Sequence, residues 1–478
     1  MDADEYRRHA HALVDWIATY LEDVERYPVL PRVSPGDVRR ALPAQAPERG
    51  EPFEAVFADF ERVILPALTH WNHPGFLAYF ASSASPAGIL GEMLAAALNQ
   101  QAMLWKTSPA STELEETALG WLRELLGLPA SFEGVIYDTA SISTLHALAA
   151  ARERALPGVG AHGLAVAAAG APLRIYTSEQ SHSSVDKAAM TLGFGYDAVR
   201  KIPADAEFRM RPEALAAALE EDLAAGVRPV AVVATVGTTS TTSVDPVAEI
   251  AAICARHGVW LHVDAAYAGV AAMVPELRPH FDGWAAADSI VVNPHKWLFM
   301  PVDISALYCR HLPVLRAAFS LVPDFLRTAE GDTGVRNLMD TGVQLGRRFR
   351  SLKLWMVLRD FGAEGLRGVV REHVRLAHLF AAWVDEDASF QRVAPVVFSV
   401  VCFRASGPPG LSPAEADAFN QRLMDRVNAT GEVFLSHTRL DGRFVLRLAI
   451  GHYATAERHI ARAWELVREA EKALGSGL

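Results

Sequence analysis

Cysteine is scarce in this chain of 478 residues: three stand far apart, Cys254, Cys309 and Cys402, each in an apolar or strand-like setting. This excludes paired-cysteine metal sites and predicts core thiols in a reducing compartment. Long apolar runs are missing as well. No stretch approaches about 18 uninterrupted apolar residues, and the opening Met-Asp-Ala-Asp-Glu-Tyr-Arg-Arg lacks the apolar core of a secretion signal, so a soluble, cytoplasmic protein without a membrane partner is expected. Blocks of like charge are absent and the net charge is -11, which argues against nucleic acid and anionic membranes. The 17 histidines are scattered, and no HExxH string occurs; no metal site is expected. What is abundant is apolar residue, 51% of a chain long enough for two or three packed units.

Two short β-branched runs, 259–263 (VWLHV) and 289–292 (SIVV), read as strands buried on both faces of a parallel sheet. Asp264-Ala265-Ala266-Tyr267 follows the first, and Asn293-Pro294-His295-Lys296-Trp297 follows the second. Open parallel sheets bind ligands beyond the carboxyl ends of their strands, so Asp264 and Lys296 both belong at that rim. A lysine on a partly apolar rim supplies a neutral amine that attacks an aldehyde, and a carboxylate keeps a pyridine nitrogen protonated. Pyridoxal 5'-phosphate (PLP) has both the aldehyde and the ring.

Other segments fit an alternation of strand and helix from residue 134 to 309, the pattern of a doubly wound domain. Residues 134–144 (GVIYDTASIST) form a strand, a small-residue turn and a helix start, where the amides and hydroxyls of Thr139, Ala140 and Ser141 make an anion site or an N-capping cluster. Residues 174–177 are the next strand, leading to His182. Residues 229–236 form another, closed by Gly237-Thr238-Thr239. Asp245 is read as the cap of a helix that ends at Gly258, with Val247, Ile250, Ala251 and Cys254 inward. Thr112 and Glu115 form a capping box for a helix that buries Leu114, Ala118, Trp121, Leu122 and Leu125 and stops at Gly127. Residues 4–26 carry a helical stripe of Tyr6, Ala10, Leu13, Val14, Ile17, Leu21 and Val24. It must bury against its own domain or a second chain.

The strings HVDAAYAG, NPHKW and LGRRFRSLKLW resemble those of the group II PLP-dependent decarboxylases, the aromatic L-amino-acid decarboxylase family of fold type I. The likeness runs from about residue 5 to about residue 460. It implies an α/β fold with a doubly wound, mostly parallel sheet, an N-terminal helical segment (1–85) that wraps a second subunit, a large PLP-binding domain (86–375) and a small C-terminal α+β domain (376–478). It implies a homodimer that decarboxylates an aromatic L-amino acid through a Lys296 imine.

By the same resemblance Lys296, Asp264 and His182 are catalytic, with His182 stacked on the cofactor ring. Thr139, Ala140, Ser141, Thr239, Ala266, Asn293 and His295 complete the cofactor set. Trp71, Tyr79, Phe80, Ser82 and Met103 join His182 and His295 around the substrate, although Trp71 and Phe80 serve equally well as core residues. The family pattern usually has glycine at Asp138, and a carboxylate beside a phosphate repels it unless it points away.

Residues 324–344 show no sustained period, and in the family this segment closes over the substrate with a tyrosine that returns a proton. That position is Leu338 here, which has no proton to give. Loss of the hydroxyl goes with oxygen-dependent aldehyde synthases on the same scaffold, so an aromatic acetaldehyde synthase is the alternative expectation. His182 or Tyr137 are the replacement donors to weigh. Arg347, Arg348 and Arg350, read as part of a helical segment, are expected to form internal ion pairs at a dimer interface rather than to bind an acidic partner. Strands at 396–403 and 444–449, with helices near 413–427 and at the end, predict the small domain.

Overall fold

The structure is a computed structural model that describes residues 1–321 and 334–476. Two compact units emerge: Ser82–Ala381 with Arg392–Cys402, and Met1–Ala81 with Ala382–Gln391 and Phe403–Leu478. The strands in chain order are β1 (Phe76–Leu77), β2 (Glu133–Tyr137), β3 (Leu173–Ser178), β4 (Val199–Ile202), β5 (Arg228–Thr235), β6 (Trp260–Asp264), β7 (Ser289–Val292), β8 (Ser305–Cys309), β9 (Phe390–Arg392), β10 (Val400–Ala405), β11 (Phe434–Leu440) and β12 (Arg443–Ala449).

The larger unit is organised by a seven-stranded sheet in the order β2-β8-β7-β6-β5-β3-β4. Every residue of β6, β7 and β8 is buried, as continuous apolar runs require when both faces are covered. β7 with β6, β6 with β5, β5 with β3 and β3 with β4 pair parallel; β8 runs antiparallel to both β2 and β7. The sheet is mostly parallel, as expected. Helices Ala140–Ala155, Ser184–Thr191 and Val247–His257 connect its strands, and Gly258 ends the last with φ 64, a left-handed conformation that costs glycine little.

Three local expectations are corrected. Helix Pro109–Leu126 starts at Ser108, not Thr112: the Thr112 hydroxyl lies inside the helix, donating to the Ser108 carbonyl at 3.1 Å. Glu115 is buried and accepts from the Ile136 amide at 2.9 Å and the Arg347 guanidinium at 2.8 Å, while Trp121 is 40% exposed. Asp245 caps no helix; its carboxylate takes the amides of Met210 at 2.7 Å and Thr235 at 2.8 Å, joining segments the sequence keeps apart. The arginine cluster precedes the helical stretch Ser351–Glu386, which is broken at Gly362. Its ion pairs are internal to the chain: Arg347 with Glu115, Arg348 with Glu92 and Arg350 with Asp303.

The smaller unit carries most of the second sheet, order β1-β11-β12-β10-β9. β11 and β12 form an antiparallel hairpin, and β1 pairs parallel with β11 through Phe76 and Phe434. Neither β1 nor β11 is legible from periodicity, since β1 spans two residues and β11 mixes charge with serine and threonine. Helix Ala3–Glu22 packs through Trp16 and Tyr20: Trp16 meets Phe57 and Phe60 edge-on, and the Tyr20 hydroxyl lies 2.8 Å from His70 Nδ1. Tyr6 and Val14 of its apolar stripe stay 63% and 44% exposed.

Candidate active site

Because β8 is antiparallel to both β2 and β7, β2 points the same way as the parallel strands. The carboxyl ends of β2, β3, β5, β6 and β7 therefore share one edge, and five of the segments expected to carry chemistry leave the sheet there. Thr139 follows β2, His182 follows β3, Thr239 follows β5, Asp264 ends β6, and Asn293 to Lys296 follow β7. The two central motifs touch. The Asn293 amide donates to the Ala266 carbonyl at 3.0 Å, and Tyr267 stacks on Trp297 at 4.7 Å with planes 5° apart.

Asp264 is 6% exposed and accepts from the Ala266 amide at 3.1 Å. His182 accepts the Ser184 amide on Nδ1 at 3.1 Å, which places its proton on Nε2. Burial lowers the His182 pKa below its usual value, Asp264 opposes that shift and Lys296 adds to it. One electrostatic neighbourhood thus contains all three residues. His295 accepts the Ile304 amide on Nδ1 at 3.0 Å, and its Nε2 faces the Asn293 carboxamide at 3.3 Å. Burial holds the His295 pKa at about 4, so the ring is neutral.

Thr139 is the N-cap residue of helix Ala140–Ala155, followed by a half-buried Ala140 and an exposed Ser141. The free amides of this first turn are oriented donors. Thr239 lies exposed in the turn after β5. Ser82 and Met103, both half-buried, belong to the larger unit, where Met103 packs on Leu104 and Met339. Trp71, Tyr79 and Phe80 belong to the smaller unit. There Trp71 stacks on Phe76 at 4.3 Å, Tyr79 is 54% exposed, and the Arg447 guanidinium covers Phe80 at 4.5 Å.

Of the segment 324–344, residues up to 333 lie outside the described residues. Leu338 is described and 2% exposed, at the start of a short turn Leu338–Thr341. Tyr137 is buried and its hydroxyl donates to the Thr341 carbonyl.

The pyridoxal-dependent decarboxylase conserved domain matches residues 35–406. This chain belongs to that family. Among its relatives, tryptophan decarboxylase 2 of Oryza sativa subsp. japonica is 43% identical over 99% of this chain and 96% of its own length. Phenylacetaldehyde synthase of Arabidopsis thaliana is 42% identical over 98% of this chain and 96% of its own. The crystal structure of Oryza sativa TDC with PLP and tryptamine superimposes with a TM-score of 0.95 at 40% identity, covering 99% of each chain.

The residues of this decarboxylase fit pyridoxal phosphate by the chemistry of their donors. Thr139, Ala140 and Ser141 present amides and hydroxyls suited to a phosphate. A buried carboxylate that receives an amide hydrogen bond still calls for a cationic partner, which a pyridinium N–H supplies at Asp264. Lys296 brings the amine. Among the described residues, three of the buried polar atoms without a partner, Asn293 Oδ1, Thr235 Oγ1 and His262 Nε2, lie on β5 and β6 and just after β7.

Sequence reasoning missed a chain behind Asp264. The Trp260 indole donates to Ser289 Oγ at 2.9 Å, and Ser289 Oγ lies 2.9 Å from His262 Nδ1. His262 stands two residues before Asp264 on the same face of β6, and alternation along the strand was the available signal.

Proposed function

We propose that this decarboxylase acts on an aromatic L-amino acid, releasing carbon dioxide and the arylethylamine. The observation that carries the reading is the convergence of His182, Asp264 and Lys296 at one sheet edge. The substrate class is supported by relatives along nearly the whole chain that bear the name tryptophan decarboxylase.

Bound pyridoxal phosphate supplies an aldehyde that captures amines and a ring that accepts the electron pair left when carbon dioxide departs. Lys296 offers the amine that anchors it, and Asp264 holds a proton on the ring nitrogen. The Thr139 and Ser141 hydroxyls and the amides of Ala140 and Ser141, with Asn293 and His295, would hold the phosphate. Ala266 and Thr239 border the ring. His182 would cover it, with its proton at Nε2. Orienting the substrate carboxylate and excluding water would be the protein's remaining tasks. Ser82 and Met103 are assigned to the substrate side chain.

A second reading is oxygen-dependent formation of an aromatic acetaldehyde, in which amino acid, oxygen and water give aldehyde, carbon dioxide, ammonia and hydrogen peroxide. Leu338 donates no proton, and burial lowers the pKa of His182, so the reading in which proton return to the substrate carbon lags behind oxygen attack has support in both residues. One experiment separates the two: PLP-loaded protein with tryptophan, tyrosine, phenylalanine or dihydroxyphenylalanine, in air and under argon. Amine with equimolar carbon dioxide in both atmospheres is expected, and Lys296→Ala should cut it by roughly 10⁴-fold or more. Aldehyde and peroxide in air alone would replace the first reading with the second; no product from any of the four would end both.

The working form is proposed to be a cytoplasmic homodimer engaged in carboxylic acid metabolism. Three buried thiols suit a reducing compartment. Helix Pro86–Leu98 exposes Leu90, Met93, Leu94 and Leu98 at 51%, 40%, 48% and 54%, an apolar row suited to a second copy. Sedimentation equilibrium should give twice the 51.9 kDa chain mass; a monomer at micromolar concentration would remove the dimer.

A further inference from the structure

The phosphate cradle contains a carboxylate that competes for its donors. Asp138 Oδ1 accepts from the Thr139 amide at 2.5 Å and from the Thr139 hydroxyl at 3.0 Å. Thr139 is the N-cap residue of a 16-residue helix, yet its hydroxyl makes no capping bond to that helix. The other oxygen, Oδ2, takes the Gln344 carboxamide at 3.3 Å. Among the described residues no lysine or arginine pairs with Asp138. His146, whose charge would attract it, is buried and held neutral. Among the described residues this negative charge is met by hydrogen bonds alone, and one of them ties up the Thr139 hydroxyl that an incoming phosphate would use.

We propose that Asp138 is a resident competitor for the cofactor's phosphate and sets how tightly this decarboxylase holds pyridoxal phosphate. The inference rests on the assignment of Thr139, Ala140 and Ser141 to the phosphate. Two anions cannot share the one Thr139 hydroxyl proton, so loading requires the carboxylate to release it, and the bond to Gln344 gives the carboxylate a place to turn. Its charge remains near the phosphate and weakens binding throughout. The penalty falls on phosphate-bearing ligands. Pyridoxal, with the same aldehyde and ring but no phosphate, escapes it.

The test titrates cofactor-free protein with PLP and with pyridoxal, following protein fluorescence, for the wild type, Asp138→Asn, Asp138→Ser and Ser141→Ala. Asparagine keeps the shape and an acceptor for Thr139 without the charge; serine removes both charge and reach. Both should tighten PLP roughly tenfold and leave pyridoxal within about twofold, and inorganic phosphate should compete better against PLP in both. Unchanged or weaker PLP binding in both variants, with unaltered circular dichroism, would overturn the proposal. It would then follow that the carboxylate organises the turn rather than opposing the ligand. Failure of the underlying site assignment looks different. In that case Ser141→Ala leaves the preference for PLP over pyridoxal intact and phosphate does not compete in any variant, which also overturns the role given to Asp138.

Discussion

Leu338 is where a single side chain bears on the outcome of the reaction. It is 2% exposed, and its carbonyl accepts the Thr341 hydroxyl at 2.6 Å. The turn that holds it is tied to the body by the Met339 amide donating to Met103 at 3.1 Å and by Arg316 pairing with Asp340 at 3.2 Å. If the residue at 338 approaches substrate, Leu338→Tyr should raise the ratio of amine to aldehyde at least several-fold. Product analysis in air checks this, and an unchanged ratio in a folded, PLP-loaded variant would detach position 338 from proton return. At this scale Lys296 and Asp264 were legible because each follows a short run whose composition suits only a buried strand. Asp245 and Thr112 were not. A carboxylate or hydroxyl before a helical pattern reads as a cap, and the Met210 and Thr235 amides that claim Asp245 are set by the fold.

Helix Pro109–Leu126 shows how an element acquires a role that its own sequence does not show. Its buried face includes Ser111, Thr112 and Glu115 beside Ala118, Leu119, Leu122 and Leu126. Glu115 is 1% exposed because it meets the 7% exposed Arg347 and the Ile136 amide of β2. Arg347 also donates to the Ile136 carbonyl at 2.8 Å and the Ala102 carbonyl at 3.2 Å. Removing one partner leaves the other charge buried without compensation. Glu115→Ala should therefore cost about 3–5 kcal/mol of unfolding free energy, read from urea denaturation, while Glu115→Gln, which keeps an acceptor for Ile136, should cost less. A loss below about 1 kcal/mol would mean that water replaces the carboxylate. Hydrophobic periodicity located this helix and its stop at Gly127, and it failed at Glu115, where pairing rather than polarity decides what is buried.

For the molecule as a whole, buried histidines set the response to acid. His73, His146, His262 and His295 are between 0% and 7% exposed, and burial holds each pKa at about 4 against a usual 6.5. The folded state binds protons less readily than the unfolded chain, so the stabilisation is complete above pH 6.5 and is lost as pH falls towards 4. Each group is worth up to roughly 3 kcal/mol. Asp245 acts in the opposite sense: its pKa, raised to about 6 by burial, favours the folded state at low pH. One carboxyl does not offset four imidazoles. The urea midpoint should fall steeply from pH 7 to pH 5, with more than one proton taken up on unfolding; a flat profile would show that these rings titrate in place.

Composition and pattern by themselves determined the class of protein: continuous β-branched runs demand a covered parallel sheet, and Asp264 and Lys296 fall at strand ends wherever those strands are placed. The apolar alternation of helices and strands between residues 134 and 309 was sufficient for the doubly wound core. Only the tertiary structure decided that β8 lies antiparallel between β2 and β7, which brings Thr139 to the same edge as Lys296. It also decided that Asp138 faces Thr139 and Gln344, and that Tyr137 spends its hydroxyl on Thr341. Those partners stand as many as 206 residues away along the chain. Periodicity reports which face of an element is buried, and it carries no information about which distant polar group will be there to meet it.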